Sequence, residues 1–322
     1  MSTVKQVGTA LGLRRAATAP KRRVALRVGI FAFALLLSRW TVALECEPLT
    51  SADNDHFGPI RHAQGLLWRL TAPDGDSSVM LGTMHVADPR VLAVGSAARP
   101  HIDAARALVI EVELDLAAIE VLQGAMFYAD GRSLREVAGP VLFTRTAAAL
   151  QAYGLTPEIV ARMKPWAAFT TLSLPAGQTG LALDLVLTNA ARSAGKPVIE
   201  LESIAEQIAV FDAISEADQI EILREATCHH TALQQETEAM IALYAERDLA
   251  GLAARAVRHT GPPGVALLEA LLWQRNERML ERLLPMLAEG GAVVAVGALH
   301  LPGARGLLEG LERQGYRVEA LY

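Results

Sequence analysis

Two apolar runs of strand character stand near opposite ends of this chain and finish in the same way. SSVMLGTMH (Ser77–His85) and AVVAVGALH (Ala292–His300) each end in a glycine followed, three residues on, by a histidine. Short, continuously apolar runs suit strands buried on both faces, which belong to parallel sheets covered by helices. Such a sheet would be built from both ends of the chain, with the middle inserted as helices. As bare strings the two motifs mean little, since 25 Gly and 8 His in 322 residues give roughly 0.6 Gly-x-x-His matches by chance. Their weight lies in where they fall, just past the carboxyl end of a strand.

The remaining segments fit the same plan. LLWRLTA (Leu66–Ala72) pairs naturally with SSVMLGT across the turn sequence Pro73-Asp74-Gly75-Asp76. ALVIEVELD (Ala107–Asp115) is a further strand preceded by a helical HIDAARA, and alternation of strand and helix indicates crossover connections. Residues 116–164 read as mainly helical, with breaks at Gly131, Gly139-Pro140 and Gly154 to Pro157. In LDLVLTNAARSAGKPVIELES, Asp184 stands where a helix would start, Gly195 where it would end, and PVIEL is a strand. Residues 203–290 are almost wholly helical apart from GPPG, and the last forty residues read strand, loop, helix, strand. The expected fold class is α/β, with a mostly parallel sheet and a large helical insertion.

The first 43 residues carry eight Lys or Arg and no acid, and enclose the uncharged VGIFAFALLLS (Val28–Ser38). A basic stretch followed by a short apolar one is the pattern of a secretory signal peptide. The apolar part is about half the roughly 20 residues that a membrane-spanning helix needs, and an N-terminal anchor is the alternative. The expected arrangement is thus a signal peptide at 1–43 and a single domain at 44–322, exported to the periplasm or secreted, touching a membrane only if the leader is retained. With 30 basic and 35 acidic residues in the whole chain, removing eight basic ones leaves 22 against 35, a net charge of −13. A domain that acidic is repelled by nucleic acid and anionic lipid. Of the two cysteines, Cys46 and Cys228, an exported protein could make a disulfide; two unrelated thiols is the other reading.

Ligands of open parallel sheets collect beyond the carboxyl ends of the strands. His85, Glu111, Glu202 and His300 all lie at or just after such ends, so four groups distant in sequence can converge on one edge. Imidazole and carboxylate together suit a borderline divalent ion such as Mn²⁺, Co²⁺ or Zn²⁺. The plainer alternative is that each histidine only caps a strand end. Glu111 lies in an apolar run, where an unpaired carboxylate costs several kcal/mol, so it needs a cation or hydrogen-bond donors. Glu113 would share its face if the strand continued. Cys228, His229 and His230 are consecutive, and neighbouring helical residues diverge by about 100°, so the two histidines read as structural or surface groups. No H-E-x-x-H, G-x-S-x-G, Walker or G-x-G-x-x-G motif occurs.

LGTMHVAD, ALVIEVELD, GLALDLVLTNAARSAGKPVIELESIAEQIAVFD, LLWQRNERMLERL and VVAVGALHLPGARGLLEGLERQGYRVE, in that order, resemble the TraB/PrgY/GumN family, which includes the Tiki proteases. KPWA (Lys164–Ala167) matches a further recurrent feature of that family. The resemblance spans about Leu67 to Tyr322. It implies a fold related to the erythromycin esterase and ChaN type and, from the Tiki branch, divalent-metal-dependent proteolysis with Mn²⁺ or Co²⁺ favoured. It assigns the metal to His85, Glu111 and His300, matches Arg275 and Asn276 to an Arg-Asn helix, and matches Glu202 and Gln207 to Leu-Glu and Gln positions.

Together these readings lead to the expectation of an exported metal-dependent hydrolase acting on a peptide or protein substrate. Glu202 or Glu113 would be the general base, and Arg275 would stabilise an oxyanion or orient a carboxylate. Gly82 and Gly297 would let the backbone turn sharply. A metal-independent, esterase-like hydrolase with a histidine base, and a non-catalytic peptide- or metal-binding protein, are the competing expectations.

Overall fold

In the computed structural model, residues 46–48, 56–258 and 261–322 are described; the expected signal peptide at 1–43 lies outside them. Six strands form one sheet: β1 (Leu67–Thr71), β2 (Ser77–Thr83), β3 (Ala107–Ile110), β4 (Val198–Glu200), β5 (Ala292–Gly297) and β6 (Arg317–Ala320). Their order is β4-β3-β5-β2-β1-β6. β4, β3, β5 and β2 are parallel, whereas β1 runs antiparallel to both β2 and β6.

The placement of β5 is the outcome that matters. It comes from the carboxyl end of the chain, yet it lies between β2 and β3, pairing Val79–Thr83 with Val293–Gly297 on one side and Ala107–Ile110 with Ala292–Ala295 on the other. All four residues of β3 and the first five of β5 are buried, which is why both strands read as unbroken apolar runs. Burying each Val, Leu or Ile there contributes roughly 1.5–3 kcal/mol relative to leaving it exposed. β6, at the edge, is mostly exposed and carries Arg317 and Glu319, charges that discourage further pairing.

Helices cover the sheet, and a second core of helices is built around Phe143, Trp166, Phe169 and Leu223. Local signals explain several boundaries. Ser133 and Glu136 form a reciprocal capping box at the start of Leu134–Leu150, as Ser203 and Glu206 do for Ile204–Asp212. Gly139 adopts φ 78° immediately before Pro140 and breaks the first of these helices, as its sequence implies. GPPG acts as a start rather than a gap: Gly261 caps Pro262–Leu268, which continues through a π-helical turn, Glu269–Trp273, into Gln274–Ala288. No helix among the described residues is long and apolar enough to cross a membrane.

Cys46 and Cys228 form a disulfide, so the pairing expected of an exported chain is present. It ties the segment preceding the sheet to the helical core across 182 residues of sequence. His229 Nε2–H donates to the Glu47 carbonyl (2.9 Å), and His230 Nε2 meets the Tyr153 hydroxyl (3.1 Å); both are structural contacts.

In the chain-entropy account a disulfide closing a loop of this length stabilises by about 5 kcal/mol. Cys228→Ser should therefore lower the denaturation midpoint by several degrees, and reduction of the wild type should reproduce the loss. Hydrogen bonding from Arg282 and from the Ser203 backbone lowers the Glu206 carboxyl from its usual 4.5 to about 2. Its stabilising contribution is complete above about pH 4.5 and lost as pH falls through about 2. Thermal melts should show Glu206→Gln destabilised at pH 7, with its gap to wild type closing below pH 4.5.

Candidate functional site

The carboxyl ends of β2, β3, β5 and β4 face one edge of the sheet, and His85, Glu111, His300 and Glu202 emerge there in that spatial relation. His300 lies in a short 3₁₀ turn, Ala298–His300, directly after β5 and therefore between the ends of β2 and β3. His300 Nε2 is 3.6 Å from Glu111 Oε1.

Gly82 and Gly297 are needed here for space. Neither has a left-handed backbone, so the sharp-turn explanation is corrected. A β-carbon on Gly82 would stand 2.8 Å from Leu301 Cδ1 and 3.0 Å from the Ala298 Cα. One on Gly297 would stand 3.2 Å from Glu111 Oε1, 3.4 Å from His300 Cδ2 and 3.9 Å from His85 Nε2. Glycine also brings the Gly297 N–H to Glu111 Oε1 at 2.6 Å.

Each histidine is oriented through its Nδ1. The Asn276 amide nitrogen donates to two carbonyls, His300 O (3.2 Å) and Arg305 O (2.8 Å), neither of which can donate in return. Its Oδ1 must then face His300 Nδ1, at 2.6 Å, as an acceptor. The proton of His300 consequently sits on Nδ1, and Nε2 presents a lone pair. Burial lowers His300 to about 4, with Glu111 opposing, so the ring is neutral at pH 7.

His85 Nδ1 meets Asp184 Oδ2 at 2.7 Å, while the other Asp184 oxygen accepts from the Thr83 hydroxyl at 2.7 Å. The charge of Asp184, with its hydrogen bond to Nδ1, raises His85 to about 9. The His85 side chain is 62% exposed, and water screens that attraction. A ligand that takes the Nε2 lone pair of His85 must displace the proton held there. Asp184 lies in the first turn of Leu183–Ser193, where a helix favours negative charge. Sequence reasoning saw Asp184 only as the start of a helix; its contact with a residue ninety-nine positions away left no local signal.

Arg275 organises the carboxylates. Its Nη2 donates to Glu111 Oε2 (2.5 Å), its Nε donates to Glu202 Oε2 (2.8 Å), and its Nη1 donates to the Leu271 carbonyl (3.1 Å). Arg278 adds a contact to Glu202 Oε1 at 3.3 Å, and Gln207 lies 3.5 Å from Oε2. Burial alone would raise Glu111, but His300, the Arg275 guanidinium, His85 and the Gly297 N–H hold it well below the usual carboxylate range.

A cleft of about 420 Å³ opens over this edge, lined by His85, Glu111, Arg275 and His300 among apolar walls such as Phe211 and Leu271. Glu202 does not line it: its side chain is 0% exposed, behind Arg275. Glu113 does not line it either. β3 stops at Ile110, so Glu113 leaves the shared face, pairs with Arg192 and borders another pocket. Neither carboxylate expected as the general base reaches the cleft, and Asn276 acts on His300 from behind.

Among the described residues no three His, Cys, Asp or Glu side chains form a ready-made metal ligand set. The donor chemistry nevertheless suits a divalent ion, with two imidazoles tied at Nδ1 and one carboxylate close by.

The profile of the TraB/PrgY/gumN family matches residues 66–320. The chain belongs to the TraB/PrgY/gumN family. Comparison with curated proteins and with solved structures gives no match. In this TraB/PrgY/gumN chain the paired strands β2 and β5, whose carboxyl ends lead to His85 and His300, both lie inside the matched span.

Removing Arg275 would leave two buried carboxylates facing one another. Arg275→Ala should cost about 3–5 kcal/mol in chemical denaturation, and Arg275→Lys should recover only part, because an ammonium cannot span both carboxylates as the guanidinium fork does.

Proposed function

We propose that this TraB/PrgY/gumN protein is an exported hydrolase dependent on a divalent metal ion, acting on a peptide or protein outside the cytoplasm. The observation that carries the reading is the pair of imidazoles held at Nδ1 by Asp184 and Asn276, with Glu111 beside His300 in one cleft. The basic, then apolar, leader and the Cys46–Cys228 disulfide support export into an oxidising compartment.

His85, Glu111 and His300 would hold the ion, with Mn²⁺ or Co²⁺ favoured and Zn²⁺ an alternative. When bound, such an ion supplies Lewis-acid chemistry, polarising a scissile carbonyl and lowering the pKa of water. Asp184 and Asn276 accept hydrogen bonds from the Nδ1–H groups and so orient both rings for ligation through Nε2. Arg275 keeps Glu111 charged and brings a fixed positive charge to the cleft, where it would steady negative charge developing on the substrate oxygen. Glu202 is a positioning residue that acts through Arg275. Phe211, Leu271 and Leu272 give the cleft apolar walls that limit water.

The His85–Asp184 contact also fits a metal-independent hydrolase with His85 as base and Asp184 as its orienting group. Chelation separates the two readings: exhaustive removal of metal abolishes activity in the first and leaves it intact in the second.

Residues 44–322, purified and loaded with Mn²⁺ or Co²⁺, should cleave peptides in a metal-stimulated reaction. His85→Ala or His300→Ala should abolish it, and Asn276→Ala should weaken metal affinity about 10–100-fold. Glu113→Gln should leave the rate unchanged. A metal-loaded His85→Ala protein that works at the wild-type rate overturns the assignment.

A further inference from the structure

A second cavity of about 410 Å³ adjoins the cleft and has no part in the chemistry above. Phe211 and Leu271 line both spaces, so an extended chain lying over the sheet edge can turn a side chain into the second one. Its walls are mostly apolar, with Phe169, Ile222, Leu233, Leu267 and Leu268 among them.

Three titratable groups also border it, and they differ in how they are engaged. Glu236 is committed to Arg255, 2.6 Å away. His229 is engaged at Nε2 by the Glu47 carbonyl, 2.9 Å away. The Glu225 carboxylate makes no side-chain hydrogen bond or salt bridge among the described residues, His229 acting on it only from farther off; the adjacent Glu221 is occupied by Arg224 at 3.1 Å. Its neighbour is Gly261, where a β-carbon would stand 3.0 Å from Glu225 Oε1, so the backbone passes close beside this oxygen. Burial raises the Glu225 carboxyl, with Glu221 adding to the effect and His229 opposing it. A half-buried carboxylate without a cation is costly, and a positively charged ligand atom would offset that cost.

We propose that this cavity is a substrate subsite for a lysine or arginine residue, the apolar walls packing on its methylene stem and Glu225 receiving its charged head. Long basic side chains combine these two features, an apolar body and a cationic tip. The net charge of −13 on residues 44–322 draws cationic peptides towards the protein, and Glu225 adds the local selection. The inference deepens the peptidase reading and rests on it for the direction of the substrate chain.

The test is equilibrium binding to the full-length protein, read by fluorescence anisotropy with labelled alanine-based peptides containing one Lys, one norleucine or one Glu. The Lys peptide should bind about tenfold or more tightly than the norleucine peptide. Glu225→Gln, which keeps the side chain's size, should remove that difference, and Ala232→Phe, which fills the cavity, should weaken both peptides. Equal binding of Lys and norleucine, a preference that survives Glu225→Gln, or no binding of any peptide overturns the subsite. Cleavage of the same peptides in Mn²⁺ is scored separately. Lysine-selective binding without cleavage leaves the subsite standing and sinks the hydrolase reading, whereas cleavage without lysine preference does the reverse.

Discussion

Arg275 lies between Glu111 and Glu202, three charged side chains that are each 9% exposed or less. Any one of them alone would be expensive to bury, because loss of water destabilises an isolated charge by several kcal/mol. Together with Arg278, which contacts Glu202 from the more exposed side, they bring two negative and two positive charges into one cluster. The cluster joins the ends of β3 and β4 to the helix Gln274–Ala288, so the sheet edge and the helical layer cannot move apart without exposing or unpairing a buried charge.

The same helix governs both halves of the site. Arg275 and Asn276 are adjacent, and adjacent helical side chains point about 100° apart. One addresses Glu111 while the other addresses His300. Immediately before them the chain forms a single π-helical turn, Glu269–Trp273, and such turns are frequent at functional sites because they rotate the facing of the helix beyond them. The Leu271 carbonyl in that turn accepts from Arg275, and its side chain separates the cleft from the second cavity. The contacts to Glu111 and His300 and the wall shared by the two cavities therefore come from one irregular helix.

Much of the fold and the site is legible in the amino-acid sequence, for identifiable reasons. The strands that carry His85, Glu111 and His300 are buried on both faces, and continuous apolar runs bounded by Gly mark such strands clearly. The disulfide was one of two readings open to a chain with only two cysteines, and the structure pairs them. Glu113 was less legible, because period-two alternation holds only while the strand lasts and β3 ends at Ile110. Glu202 had the right address at a strand end, but its burial depends on Arg275, seventy-three residues away. Asp184 looked like one more acidic residue in a helical first turn, and nothing near it in sequence pointed to His85.

The sequence by itself determined the α/β class, the strands and most helix starts, since these depend on hydrophobic period, capping residues and chain breakers within a few positions. It also determined the inventory of donors at strand ends. Only the tertiary structure decided that β5 enters between β2 and β3, which sets His300 next to Glu111, and which nitrogen of each histidine is tied. Those outcomes depend on hydrogen bonds and ion pairs between residues tens to hundreds of positions apart. Their energies arise only once the sheet has closed and water has left its edge.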